Sequence, residues 1–249
     1  NIVSAAGGIG ATQRIHSGFH TVFEHRLNTT SDNIKKFSIV NDSVLICQGI
    51  YSDNTLQVKR AQSFSPEDET SSMTVDLFEY YDSEQKMIAK EERLSPTDRR
   101  ISYYVYDEKG LQRYIIPPIE SERLQTGSYT PHSLNTYCYY FEYDEYGRIV
   151  KQYVPGMDYI LKLYDNRGRI AMSQDGNQRV NNQWSFTKYD IYDRPVLSGV
   201  YTGGTYDSHK AALKSQNIMY EQRGNIVHLY TNDTYPSVAN ESDYLSITY

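Results

Sequence analysis

Residues 139–170 read YYFEYDEYGRIVKQYVPGMDYILKLYDNRGRI, and the phrase YDEYGR beginning at Tyr143 returns 21 residues later as YDNRGR at Tyr164. Before each Asp, apolar and polar side chains alternate with a period of two, as Phe141 and Tyr143 do. That is the pattern of a strand with one buried face. An Asp at the head of a turn accepts backbone N–H groups with its carboxylate, and a Gly three residues on supplies the positive φ that closes a type I turn with a bulge. The phrase therefore reads as a hairpin turn, with Arg148 or Arg169 opening the return strand.

Working outward, the phrase recurs. Tyr-Asp occurs at Tyr81, Tyr106, Tyr143, Tyr164, Tyr189, Tyr192 and Tyr206, seven times, where random pairing of 25 Tyr with 17 Asp over 249 positions gives about two. Aligned on Asp82, Asp107, Asp144, Asp165 and Asp190, five units read FEYYDSEQKMI, YYVYDEKGLQR, YFEYDEYGRIV, LKLYDNRGRIA and FTKYDIYDRPV. The turn pairs are Asp107 with Gly110, Asp144 with Gly147 and Asp165 with Gly168; after Asp190 the Gly position holds Asp193, which tolerates the left-handed region better than most residues. Gln85 holds that position in the first unit, so a looser turn or another type is expected there. Arg148, Arg169 and Arg194 are expected either to pair with carboxylates on neighbouring hairpins or to lie on a solvated face. One hairpin cannot bury its own face. Units laid side by side predict a mainly all-β fold, an antiparallel sheet of repeated hairpins that curls or spirals.

Elsewhere, VPGMD and SQDGNQRVNNQ are dense in turn formers, and residues 115–135, with three prolines, are expected to be an irregular loop. DSHKAALKSQN at 207–217 is the one short helix expected, with Asp207 and Ser208 as caps. Before Val75 the repeat is absent: KKFSIVNDSVLICQGIY reads as two strands around Asn41 and Asp42, TLQVKRAQSF as another, and SPEDETSS as a polar linker. The organisation expected is a small β-rich part over 1–70, opening with a flexible leader of about fifteen residues, then a repeat region over 71–249. The closing DYLSITY is strand-like and the chain lacks an initiator Met, as a piece of a longer polypeptide would.

A net charge of −6 and a pI near 5.5 argue against nucleic acid or an anionic membrane, which require clustered Lys and Arg. No run approaches the roughly 20 apolar residues of a membrane span, and NIVSAAGGIG lacks the segments of a signal peptide. Cys47 and Cys138 stand at no metal-ligand or redox spacing and do not read as a disulfide; Cys138, in NTYCYYFEY, reads as a buried thiol. Tyr outnumbers Phe 25 to 7, with a single Trp, so much of the apolar surface carries a hydroxyl and suits half-wet sheet faces.

The Tyr-Asp units with their trailing Gly-Arg resemble the YD repeats of the bacterial Rhs family, relatives of which occur in animal teneurins. YVYDEKGLQRYIIPP, YDEYGRIVKQYVPG, LYDNRGRIAMSQDGNQ, WSFTKYDIYDRPVLSGVY and LYTNDTYP, in that order, extend the resemblance over about residues 75–249. The resemblance implies a β-ribbon spiralling into a hollow shell, within a large exported protein outside or on the surface of a bacterium. It implies as partners the remainder of the parent polypeptide and an encapsulated C-terminal toxin, released past a core with self-cleaving aspartates. That core's motif, Asp-Pro followed by a Gly-Leu-Arg run, does not occur in these 249 residues, so no catalytic residue carries over.

Candidate chemistry is thin. Glycoside hydrolysis needs two carboxyl groups across a cleft, but Asp heading a Gly-containing turn has an ordinary structural use, and an active site is not written five times. Gly7–Gly10 lacks the full spacing of a phosphate or dinucleotide loop; His16, His20 and His25 lack the Glu of a zinc-protease helix; SQDGN offers one carboxylate, too few for calcium. The reading is a non-catalytic structural fragment with no cofactor or metal. The alternative is a carbohydrate-binding cell-surface module in which exposed Tyr and Trp184 stack on a glycan.

Overall fold

The alternating segments become strands in the computed structural model, which describes residues 2–6, 20–64, 76–95, 97–134, 136–226, 228–237 and 244–247. The described chain is mainly antiparallel β, and it divides into two units, Asn1–Tyr140 and Phe141–Tyr249. The expected linker SPEDETSS and the boundary near residue 70 lie outside the described residues, as does most of the expected leader.

In the first unit the strands are β1 (Ile2–Ala6), β2 (His20–Leu27), β3 (Lys35–Val40), β4 (Val44–Ile50), β5 (Gln57–Phe64), β6 (Asp76–Tyr81), β7 (Met87–Arg93), β8 (Arg99–Tyr106) and β9 (Gln112–Ile116). Ile2–Ala6, expected within the leader, pairs along β2 instead. The main sheet of this unit runs β1-β2-β5-β6-β7-β8-β9. β3 and β4 join through three residues, Asn41, Asp42 and Ser43, of which Asn41 (φ 51°) and Asp42 (φ 59°) are left-handed. The stretch 115–135 is more regular than its prolines suggest. It holds α1 (Pro118–Arg123), β10 (Gly127–Tyr129), which pairs with β4, and α2 (Pro131–Leu134). Pro118 sits at the first position of α1, where its missing N–H has no intrahelical partner to lose.

The core of this unit follows the period of two: Phe78 and Tyr80 on β6, Tyr103 and Val105 on β8, and Tyr114 and Ile116 on β9 are buried, as are Leu45, Leu56, Leu124 and Cys138. The buried tyrosine hydroxyls are matched, as polar groups out of water must be. Tyr80 Oη donates to Glu91 (2.9 Å), and Tyr103 Oη accepts from Lys35 N (3.1 Å). Cys47 and Cys138 are free and buried, and burial pushes the Cys138 thiol up to about 12.

The second unit begins within β11 (Tyr139–Tyr143) and continues through β12 (Ile149–Tyr153), β13 (Ile160–Tyr164), β14 (Ile170–Gln174), β15 (Gln183–Tyr189) and β16 (Pro195–Thr202); β19 (Tyr244–Ile247) pairs with β16. β17 (Arg223–Ile226) and β18 (His228–Tyr230) form a separate hairpin. Two helices fall here, α3 (Gly176–Val180) and α4 (Tyr206–Ser215), so the described residues contain four short helices where one was expected. α3 arises in the turn-rich SQDGNQRV because Asp175 and Gln178 satisfy each other's backbone N–H in a capping box. In α4 the cap is Thr205, reciprocated by Ser208 Oγ; Asp207 lies inside the first turn. The helix lays Leu213 against Leu163, Ala171, Met172, Trp184 and Phe186.

Candidate functional site

Five of the seven Tyr-Asp phrases are hairpin turns with one hydrogen-bond plan. In the fourth unit Asp165 N donates to Arg169 O (3.0 Å) and Gly168 N to Asp165 O (2.9 Å), while Asp165 Oδ1 accepts from the backbone of Arg167 and Arg169 (2.9 Å each). The same four bonds recur at Asp82, Asp107, Asp144 and Asp190. The left-handed position is Gly110 (φ 79°), Gly147 (75°), Gly168 (81°) and Asp193 (63°). Gln85 adopts φ 63° and completes the identical set, so the looser turn expected in the first unit does not occur. The Asp carboxylate, present in all five units, dictates the turn strongly enough to hold a non-Gly residue there.

The second carboxylate oxygen holds the basic residue that follows. Arg148 Nε donates to Asp144 Oδ2, Arg169 Nε to Asp165 Oδ2 and Arg194 Nε to Asp190 Oδ2, each at 2.7 Å. These arginines were expected either to reach carboxylates on other hairpins or to face solvent; each pairs with the Asp of its own turn, four residues back, while the Arg194 side chain is also 66 % exposed. Arg169 alone among them also reaches across, its Nη1 donating to Asp193 Oδ1 (2.8 Å). In the second unit the partner is Arg113, two residues further along the strand, with Nε to Asp107 Oδ2 at 2.8 Å. A step of two keeps the same strand face, which alignment on Gly-Arg conceals.

In three units the cation after the turn becomes a platform for the next unit: Arg148 and Arg169 are held by their turn Asp, whereas Lys86 pairs with Glu84 (2.5 Å). Arg148 stacks on the ring of Tyr164 (4.5 Å to the centroid), Arg169 on Tyr189 (4.6 Å), and Lys86 lies 5.8 Å from Tyr106. The hydroxyls of those rings then donate to the carbonyl one residue past each cation: Tyr164 to Ile149 O and Tyr189 to Ile170 O (2.8 Å each), Tyr106 to Met87 O (3.2 Å). At Arg148 and Arg169 the Asp thus shapes its own turn and aims the cation, and the Tyr of the following unit docks on cation and carbonyl together. The ladder register shifts at Tyr81, Tyr106, Tyr164 and Tyr189, so each of these tyrosines sits at a bulge or irregularity just before its turn Asp.

Electrostatics agree with this arrangement. Burial raises the Asp107 and Asp144 carboxyls, yet the backbone N–H groups and the paired Arg outweigh it and hold both below the usual carboxylate range. Trp184 does not fit the glycan-stacking role. It is 1 % exposed, enclosed by Tyr206 and His209, because period-two alternation on β15 turns it inward with Phe186. Among the described residues the most exposed tyrosine rings are Tyr146 (74 %) and Tyr192 (76 %), two residues after Asp144 and Asp190, with Arg148 and Arg194 over their faces. Beside Tyr146 an open groove of about 680 Å³ is lined by Arg148, Tyr164, Arg167, Lys210 and Lys214.

The sequence reading missed a second polar cluster. Lys188 and Glu221 are both 0 % exposed, with Nζ and Oε1 3.4 Å apart. Lys188 Nζ also donates to Thr234 O (2.7 Å) and to Asn232 Oδ1. Glu221 accepts from Thr231 Oγ1 (2.7 Å), Asp233 N (2.8 Å) and both Thr234 N (2.9 Å) and Oγ1 (2.5 Å). Lys188 occupies the inward position that extends Trp184 and Phe186, a lysine where alternation demands an apolar residue, and that mismatch was readable in WSFTKY. Burial pulls its ammonium below the ordinary range, with Glu221 opposing only in part. Burial pushes Glu221 up, but the threonine hydroxyls and the Asp233 N–H outweigh it and keep the carboxyl low.

Among the described residues no group of three or more His, Cys, Asp or Glu is placed to hold a metal, and His16 and Gly7–Gly10 lie outside them. No helix among the described residues is long and apolar enough to cross a membrane. No protein-family model and no curated protein matches this chain.

Proposed function

We propose that this chain is a non-catalytic wall segment of a large exported bacterial protein of the Rhs, YD-repeat kind, contributing hairpins to a β-shell or surface scaffold. One observation carries the reading: five turns repeat one hydrogen-bond plan, and three of the cations that follow them each meet the Tyr of the next unit. A plan that couples a unit to its successor at three steps suits extension by repetition, and it recurs along the chain rather than placing one set of side chains at one cleft. Sequencing the parent reading frame on both sides and expressing the whole product tests it. Further Tyr-Asp hairpins and a protease-protected cargo are expected. A frame containing only these 249 residues would refute it.

A second reading, a carbohydrate-binding cell-surface module, is favoured by Tyr146 and Tyr192, each exposed at a turn beside an Arg. It predicts saturable binding on a glycan array that falls when Tyr146 or Tyr192 is changed to Ala. Silence across the array removes it.

A further inference from the structure

The Lys188 cluster contains the parts of an amide-forming reaction. A lysine becomes a nucleophile when desolvation favours its neutral amine, and an adjacent carboxyl can carry its proton. Lys188 meets the first condition: it is fully buried on β15, and its Nζ touches the side-chain amide oxygen of Asn232. That oxygen is bonded to Cγ, the atom an amine attacks. Glu221 meets the second, with Oε1 3.4 Å from Nζ. Its carboxylate is fixed by donors from Thr231, Asp233 and Thr234, which flank Asn232 on both sides, so the carboxylate and the amide are held against the same amine. Asn232 itself is exposed, so a small leaving group escapes directly to water.

We propose that Lys188 and Asn232 form an intramolecular isopeptide bond, with Glu221 as the catalytic proton carrier. Neutral Lys188 Nζ attacks Asn232 Cγ, forming the new C–N bond. Glu221 takes a proton from Nζ and passes it to Asn232 Nδ2; the Cγ–Nδ2 bond breaks and ammonia leaves. One amine and one primary amide become one secondary amide and one ammonia, Glu221 ends as it began, and no oxidant or co-reactant is consumed. The bond closes a loop whose ends lie 44 residues apart and fastens the segment carrying Glu221, Thr231 and Thr234 to β15. A buried salt bridge alone contributes little net stability, and the covalent product would account for placing a lysine in an apolar stripe.

Intact-mass spectrometry of the denatured full chain reads the outcome directly. The expected mass lies below the sequence value by one ammonia, about 17 Da, and tryptic digestion yields one branched peptide joining Lys188 to Asn232. Asn232→Ala restores the sequence mass, Asn232→Asp loses water in place of ammonia, and Glu221→Gln stays unreacted over an incubation that completes the wild-type reaction. The wild-type reading does not depend on any variant folding. Full sequence mass in the folded wild type after prolonged incubation at neutral and mildly alkaline pH would overturn the proposal. So would an ammonia deficit that maps to a cyclic imide with no branched peptide.

Discussion

Replacing Asp165 by Ala removes four hydrogen bonds from a single turn. Its Oδ1 accepts the backbone N–H groups of Arg167 and Arg169 at 2.9 Å, and its Oδ2 meets Arg169 Nε at 2.7 Å and Nη2 at 2.6 Å. Asp165 is buried and the Arg169 side chain only 12 % exposed, so water replaces these partners incompletely. Each backbone bond contributes about 1 kcal/mol, and leaving the guanidinium short of its carboxylate costs about 1.5–3 kcal/mol, with Asp193 retained as a partial substitute. A loss of about 3–4 kcal/mol follows, which for a chain of this size lowers the melting temperature by about 10 °C. Calorimetry at pH 7 measures it, with Glu145→Ala, an exposed change in a neighbouring turn, as the control. Asp165→Asn keeps an acceptor for the two N–H groups but sets an amide N–H2 donor where Oδ2 met Arg169, so the guanidinium bonds are lost and about half the shift or more is expected. If Asp165→Ala melts with the control, the Asp clamp does not hold the turn and the account of the repeat fails.

Gln85→Gly relieves a left-handed φ at a turn otherwise built like the rest and should raise stability by about 1 kcal/mol, whereas Asp193→Gly, which also loses Arg167 and Arg169 as partners, should not; parallel melts separate the two. Tyr189→Phe keeps the ring under Arg169 but loses the bond to Ile170 O, and a loss of about 0.5–1.5 kcal/mol in urea titration is expected, with Tyr189→Ala costing more. His209 donates Nε2–H to Gly203 O and accepts at Nδ1 from Tyr235 Oη; burial lowers its pKa, and the bond to Gly203 only partly opposes this. With the folded value below the unfolded one of about 6.5, the unfolded chain binds more protons in acid. Stability is therefore fully present above about 6.5 and falls as pH drops below it toward the folded value. The melting temperature should decline as pH falls below about 6.5, and His209→Gln should flatten that slope; an unchanged slope sinks the assignment.

Much of this was legible in the chain. Alternation ahead of each Asp gave the strands, and Asp107, Asp144, Asp165 and Asp190 with their Gly or Asp partners gave the turns, because a hairpin turn is decided by residues within five positions of one another. The helices were less legible: α1 and α2 hide among prolines and α3 among turn formers, since the residues that cap a helix also make turns. Trp184 was misread because a lone aromatic in a strand points in or out according to register, and register is fixed by pairing with β14 and β16.

The sequence by itself determined the repeat, the turn chemistry and the antiparallel β class, all of which rest on local backbone and side-chain preferences. Only the tertiary structure decided that each Arg serves its own Asp, that the next Tyr docks on it, and that Lys188, Glu221 and Asn232 converge. The Arg–Asp pairs lie four residues apart but need the strand face to be set, and the other contacts join residues 16 to 44 positions apart. Their existence depends on strand register and burial, which no short window of sequence encodes.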